Sequence, residues 1–267
     1  MAEVIDGILI CEVETKNIMT KSSLPVGGYS VNPYVGCTHA CKYCYASFMK
    51  RFTGHTEEWG TFLDVKHWPE IKNPKKYAGQ RVVIGSVTDG YNPQEEQFGN
   101  TRKLLEQLIG SDAEILICTK SDLVVRDIDL LKKLGRVTVS WSINTLDENF
   151  KNDMDSASNI EQRIAAMKQV YEAGIRTVCF VSPVFPGITD FEAIFERVKD
   201  QCDLFWLENL NLRDGFKKTI MDYIARKHPN LVPLYDEIYN KHNRSYFEAL
   251  ELKAAEMAKK YDCAFVD

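Results

Sequence analysis

No apolar run in the sequence approaches the roughly 20 residues that a membrane-spanning helix needs; the longest, such as 115–118 and 178–181, are far shorter. The opening stretch, Met1-Ala2-Glu3-Val4-Ile5-Asp6, lacks the basic region and apolar segment of a secretory signal. Internal repeats, low-complexity tracts and flexible linkers are also missing, and no shift in composition marks a domain boundary. Positive charge is in deficit: the net charge is -5, so nothing draws a polyanion to the whole surface and any nucleic-acid contact needs a local basic patch. The short basic pairs Lys50-Arg51, Lys75-Lys76 and Lys217-Lys218 read as solvated surface. These absences predict a cytoplasmic protein with no membrane association.

What is present supports a sizeable core, with 45% hydrophobic residues in 267. Of the eight cysteines, Cys37, Cys41 and Cys44 fall together, and Cys11, Cys118, Cys179, Cys202 and Cys263 are scattered. Scattered single cysteines suit buried thiols in a reducing compartment, not a disulfide framework.

From residue 81 onward, apolar β-branched runs alternate with amphipathic segments. The expected strands are 31–35, 81–87, 114–119, 137–143, 177–181 and 203–207, with helices over 95–108, 125–134, 159–173 and 191–200 between them. The strands lack period-two polarity, which is the pattern of a parallel sheet covered by helices. The expected class is therefore α/β, a partial (β/α)6 TIM-like barrel, since six units are too few to close an eight-stranded one. The expected division is an N-terminal extension over 1–30, the barrel over 31–215, and a helical C-terminal segment over 216–267 packed on the barrel.

Parallel barrels carry their chemistry at the carboxyl ends of the strands, and polar residues gather there in this sequence. They are Cys37, Cys41 and Cys44 after the first strand; Ser86, Thr88, Asp89 and Tyr91 after the second; Thr119 and Lys120 at the third. Ser140, Ser142 and Asn144 end the fourth, Ser182 and Pro183 the fifth, and Glu208 and Asn209 the sixth.

Three thiolates spaced by three and then two residues can surround one metal centre. Structural zinc wants a fourth ligand, whereas an iron-sulfur cube held by three thiolates leaves one iron free. No nearby cysteine offers a fourth sulfur, and His39 inside the loop is a nitrogen alternative.

The stretch NPYVGCTHACKYCYA, with Tyr43 and Tyr45 around the last cysteine, resembles the radical S-adenosylmethionine (SAM) superfamily, in its spore photoproduct lyase-related branch, also labelled DNA repair photolyase-like. GSVTDGYNPQEEQFGNTRKLLEQL, CTKSDLVVRDIDLL, SINTLDE and QRIAAMKQVYEAGIRTVCFVSPVFPGITD resemble later stretches of that branch. The resemblance implies a 4Fe-4S cluster on Cys37, Cys41 and Cys44, with the fourth iron chelated by the amino and carboxylate groups of SAM. It implies reductive cleavage of SAM to a 5'-deoxyadenosyl radical that takes hydrogen from a substrate, in lyase- or oxidoreductase-type chemistry, with electrons from a flavodoxin- or ferredoxin-type donor.

By the same resemblance, Ser86 or Thr88 places the amino end of SAM, Lys120 and Ser142 hold its carboxylate, and Asp89 joins the cofactor-binding set. Tyr43 packs against the cluster and is grouped with its catalytic residues; Tyr45 faces adenine. A salt bridge from Lys120 to Asp89 or Asp122 is the plain structural alternative, and Arg126, Asp127 and Arg163 read as ion pairs that orient helices. Cys118 is expected on the same side of its strand as Lys120.

One departure limits the reading. The branch's lesion-repair lyases carry a hydrogen-donor cysteine beside the SAM-binding serine, and here Gly85 and Val87 flank Ser86. The substrate therefore stays open among a peptide, a small molecule and a nucleic acid. A lesion-repair lyase of the spore photoproduct type, or a non-catalytic iron-sulfur or zinc redox-sensing module, are the competing readings.

Overall fold

Strands that are apolar on both faces can be buried only between layers. The computed structural model builds such a layer, describing residues 2–22, 27–212, 214–261 and 265–266; Met1 and Cys263 lie outside the described residues. The strands are β1 (Ala2–Ile5), β2 (Ile8–Glu14), β3 (Thr20–Lys21), β4 (Tyr29–Val31), β5 (Tyr34–Val35), β6 (Phe62–His67), β7 (Arg81–Ile84), β8 (Glu114–Thr119), β9 (Arg136–Ser142), β10 (Arg176–Val184), β11 (Leu204–Asn209) and β12 (Phe265–Val266). The larger sheet has the order β12-β11-β10-β9-β8-β7-β4-β3 and is parallel from β4 to β12. Its strands β7 to β11 are the five expected from 81 onward. The fold is thus mixed α/β with a parallel sheet.

The expected strand over 31–35 is two strands in two sheets. Pro33 has no N–H with which to continue the ladder, so β4 ends at Val31 beside β7 and β5 pairs with β6 in a second sheet of order β1-β2-β6-β5. Lys66 holds the crossing point, with its backbone N–H on the Pro33 carbonyl (3.1 Å) and its Nζ on the Asn32 carbonyl (2.9 Å). This second sheet has no counterpart in the sequence-based expectation, which left residues 1–30 without elements.

The helices are α1 (Glu95–Phe98), α2 (Asn100–Leu108), α3 (Ile128–Leu131), α4 (Glu148–Met154), α5 (Ile160–Glu172), α6 (Phe191–Val198), α7 (Asp214–Lys227), α8 (Val232–Tyr239) and α9 (Ser245–Tyr261). The expected helix over 95–108 breaks at Gly99, where φ is +62°. The buried Glu95 carboxylate then caps α2, accepting from the Thr101 and Arg102 backbone N–H groups at 2.8 and 3.1 Å. The same carboxylate takes the Arg126 guanidinium (2.6 Å) and the Tyr34 hydroxyl, which ties the second sheet to α1. The expected helix over 125–134 is a 3-10 turn, Leu123–Asp127, followed by the short α3.

The outward faces of β7 to β11 share one apolar core with α2, α5, α6 and α9. A second cluster covers the carboxyl end of the sheet, where Phe216, Ile220, Tyr223 and Ile224 of α7 and Tyr235 of α8 pack with Tyr43, Phe150 and Phe185. Among the described residues, no helix is long and apolar enough to cross a membrane.

Candidate active site

Cys37, Cys41 and Cys44 lie on a loop that leaves β5 and runs into a 3-10 helix, Tyr45–Phe52. Gly36 makes the exit feasible. Its φ is +87°, and a Cβ there would stand 2.4 Å from the Phe62 carbonyl oxygen, so no side chain fits. The loop is closed by Ala40 N–H on the Cys37 carbonyl (3.2 Å) and Cys44 N–H on the Cys41 carbonyl (3.1 Å). It is tied to the end of α4 through Lys42 N–H to the Met154 carbonyl (2.9 Å) and Ser156 N–H to the His39 carbonyl (2.8 Å).

The surroundings hold these three thiols protonated. Burial, with Asp89 and Cys44 adding to it, pushes Cys37 up to about 12. Burial is also the largest cause that raises Cys41 and Cys44. Three thiolates form here only with a cation among them, so the donor set fits a metal group.

Three free thiols on one short loop suit an iron-sulfur group, which is held by thiolates. Among the described residues, the buried Trp59 indole N–H makes no hydrogen bond of normal geometry, yet it lies near enough to favour the Cys44 thiolate.

Four connections fasten the loop to the strand ends. Thr88 donates its hydroxyl to the Gly36 carbonyl, and the Tyr45 hydroxyl donates to the Ser86 carbonyl. His39 Nε2 is 3.0 Å from Asp89. Tyr43 donates to Asp155 (3.2 Å), which pairs with the buried Arg163 (2.8 Å), and Arg163 in turn donates to the Ser142 carbonyl (3.1 Å). All ten residues expected at the site are thus brought into one region, but their jobs divide.

Asp89, expected among the cofactor-binding residues, is held by four donors of the protein itself. It accepts from His39, from Tyr91 N–H (2.9 Å), from Thr119 Oγ1 (2.9 Å) and from Lys120 N–H (2.7 Å). Burial alone would raise its carboxyl, but His39 and the backbone donors outweigh it and hold it below the usual range. Tyr43 is buried edge-on to Phe185, centroids 5.4 Å apart, with its hydroxyl on Asp155. Ser86 Oγ is shared with Ser30 Oγ and Asn32 Nδ2.

Lys120 and Ser142 differ from these. The alternative salt bridge of Lys120 does not form, since Asp89 takes its backbone N–H and Asp122 accepts from Ser158 at 2.6 Å. Lys120 Nζ lies 5.7 Å over the Tyr43 ring, and among the described residues no carboxylate comes within 4.0 Å of it. Burial would lower this ammonium, but Cys41, once it is a thiolate, and then Asp155 outweigh burial and raise it above its ordinary value. Among the described residues, the Ser142 hydroxyl has no hydrogen-bond partner, and the nearby buried Ser140 Oγ and Asn144 Nδ2 have none either.

On the adjoining strands Phe180 and Trp206 are stacked at a tilt, centroids 4.6 Å apart. Ser182 Oγ donates to Glu208 at 2.6 Å. Sequence reasoning missed Asp155, which holds Tyr43 through a long-range contact and carries no local motif, and gave no role to Asn32, which opens the motif stretch and holds Ser86 and the Val87 N–H.

The family model of the radical SAM superfamily matches residues 31–198, more than half of the chain. The chain belongs to the radical SAM superfamily. Membership carries two cofactors, a 4Fe-4S cluster and S-adenosylmethionine.

An uncharacterized protein of Methanocaldococcus jannaschii is 37% identical over 88% of each chain. A phage protein described as a radical SAM Nalpha-GlyT isomerase, from Pseudomonas phage M6, is 26% identical over 65% of this chain and 36% of its own. Among solved structures, a spore photoproduct lyase variant with AdoMet and dinucleoside spore photoproduct bound superposes with a TM-score of 0.62 at 19% identity. That match covers 82% of this chain and 66% of the lyase, so this radical SAM chain spans just under two thirds of the lyase it resembles in fold.

Proposed function

We propose that this protein is a radical SAM enzyme in which Cys37, Cys41 and Cys44 hold the cluster and leave one iron open for SAM. When bound, the two cofactors supply a 5'-deoxyadenosyl radical, generated reductively, for hydrogen abstraction from a substrate. The observation that carries the reading is Lys120. An ammonium kept charged at the carboxyl end of β8, beside Cys41 and without a carboxylate partner, needs an anion, and the SAM carboxylate is one.

The other residues take roles around it. Ser142 offers its hydroxyl to the same carboxylate. Ser86 and Thr88 fix the end of β7 against the loop near the amino group of SAM, and Tyr45, half exposed, lies on the adenine side. Asp89 and Tyr43 set the positions of the Lys120 backbone and side chain. Phe180, Trp206 and Glu208 line the substrate side, with the parallel sheet curled as a partial (β/α)6 barrel over 31–215 and the helices after 216 closing one end. Residues 1–30 form the N-terminal extension. A flavodoxin- or ferredoxin-type donor supplies electrons, in a reducing cytoplasm that suits the free cysteines.

Gly85 weighs against lesion repair of the spore photoproduct type. Its φ is +92°, and a Cβ there would stand 2.4 Å from the Cys118 carbonyl oxygen, so a donor cysteine has no room at that position. A peptide or small molecule is the preferred substrate class for a chain of net charge -5. Duplex DNA is expected to give no salt-dependent shift at low salt; a clear shift would favour repair.

Calorimetry on the cluster-loaded protein tests the reading against a bare redox module. One SAM is expected to bind per cluster, whereas a module would be indifferent to SAM. Lys120→Met removes one charge-assisted bond of roughly 1.5–3 kcal/mol, so SAM affinity is expected to fall about 10- to 100-fold with iron content unchanged. Equal affinity in that variant would remove Lys120 from the site.

A further inference from the structure

A second donor set lies behind the cysteine loop. Cys11 of β2 and Asp64 of β6 are paired neighbours on parallel strands, and the chain after the 3-10 helix brings His55 back over them. The Cys11 sulfur, a His55 ring nitrogen and an Asp64 carboxylate oxygen all lie within 4.8 Å of one another. His55 Nε2 is 2.7 Å from Asp64 Oδ1, and His55 Nδ1 is 3.1 Å from Glu57 Oε2. The ring lies flat on Phe62, centroids 4.0 Å apart, which fixes its orientation. Asp64 is buried, and His55 and Cys11 are partly so.

Two carboxylates on the two nitrogens of one imidazole pose a problem of hydrogen-bond inventory. A neutral ring has a single N–H and cannot donate to both. A second proton or a metal cation on one nitrogen removes the conflict, and the thiol at the third corner, which a proton does not call for, completes a metal-ligand set. We propose that Cys11, His55 and Asp64 bind a zinc-class divalent cation through Sγ, Nε2 and a carboxylate oxygen, with Glu57 orienting the ring from Nδ1.

The donor types select the ion. Thiolate and imidazole favour zinc over magnesium or calcium, which take oxygen ligands. Three protein ligands leave a fourth position for water, and a carboxylate on the second nitrogen is the usual orienting partner of a metal-bound histidine. The ion would act as a fastener. Asp64 also pairs with Val35 on its other side, two residues before Cys37. Phe62 closes on Gly36 through its carbonyl, and its ring packs edge-on against Trp59 at 5.8 Å. Binding would thus lock the second sheet to the segment that backs the cluster loop.

Cobalt is the probe, added to cluster-loaded protein previously stripped of loosely bound metal. One equivalent is expected to bind, with sulfur-to-cobalt absorption and ligand-field bands, and to be displaced by zinc, while iron content stays constant. Cys11→Ala is expected to abolish the sulfur-to-cobalt band. Glu57→Gln keeps all three ligands and replaces a half-buried carboxylate by an amide of the same shape, with circular dichroism to check the fold; it is expected to weaken cobalt binding about 10- to 100-fold. No cobalt uptake by the cluster-loaded protein, or uptake with an unchanged spectrum in Cys11→Ala, overturns the proposal. Unchanged affinity in Glu57→Gln overturns the orienting role assigned to Glu57.

Discussion

Replacing Cys41 with alanine is expected to give a folded protein that holds almost no iron after reconstitution and releases no 5'-deoxyadenosine above background. The reason lies in the loop itself. Its three sulfurs are the only cluster donors its geometry supplies, and burial already holds each of them protonated, so two of them cannot offset the loss of the third. Cys37→Ala and Cys44→Ala are expected to behave alike.

The scattered thiols provide the control. Cys179 is fully buried on the outward face of β10, within the main core. Cys179→Ala is expected to cost stability on the order of 1 kcal/mol, as small core truncations do, and to leave iron content intact. Iron and sulfide analysis, with circular dichroism to monitor the fold, separates the two outcomes. Retained iron in Cys41→Ala would show that this loop is not the cluster site.

The second large effect is expected at Arg163, away from any cofactor contact. This guanidinium is 1% exposed and holds the Ser158 carbonyl (2.8 Å), the Ser142 carbonyl (3.1 Å) and Asp155 (2.8 Å). Arg163→Met leaves the Asp155 carboxylate buried without its main partner, a change that costs about 3–5 kcal/mol. Urea denaturation at neutral pH is the measurement.

The pH dependence of that loss has a definite sign. Burial would raise the Asp155 carboxyl, but Arg163, then Lys120 and Lys151, outweigh burial and hold it below its ordinary value. The stability it contributes is therefore full above the unfolded pKa, about 3.9, and drains as pH falls through the lower folded value. Removing Arg163 raises the folded pKa, so the penalty of the variant is expected to shrink as pH is lowered from 7 toward 4. A penalty independent of pH would mean that lost packing, not lost charge pairing, is what the substitution measures.

Much of this architecture is legible in the sequence, and the illegible parts share a cause. Strands β7 to β11 announce themselves because cover on both faces, full on one and partial on the other, leaves continuous apolar runs such as 115–118. The polar residues that follow them are legible for the same reason, since anything ending such a strand must face the mouth of the sheet. The second sheet is hidden. Its strands β2 and β6 are about fifty residues apart, half-exposed at β2, and meet only through long-range pairing. Pro33 signals a break, but not that the chain changes sheets there.

At the site, residue types are readable and partners are not. Lys120 and Asp89 both stand at strand ends, yet Lys120 has no carboxylate in contact among the described residues and Asp89 is satisfied by four donors. That difference depends on His39 and Thr119, which lie in other stretches of the chain, as well as on the local turn at Tyr91. Asp155 is harder still, because the residue that closes α4 becomes important only through Tyr43 and Arg163, at distant points in the chain.

The most direct measurement is the release of 5'-deoxyadenosine when cluster-loaded protein is given SAM and dithionite without oxygen. The account predicts cleavage in the wild-type protein and none in the Cys41→Ala variant. A wild-type protein with a complete 4Fe-4S cluster that leaves SAM intact under these conditions would contradict it.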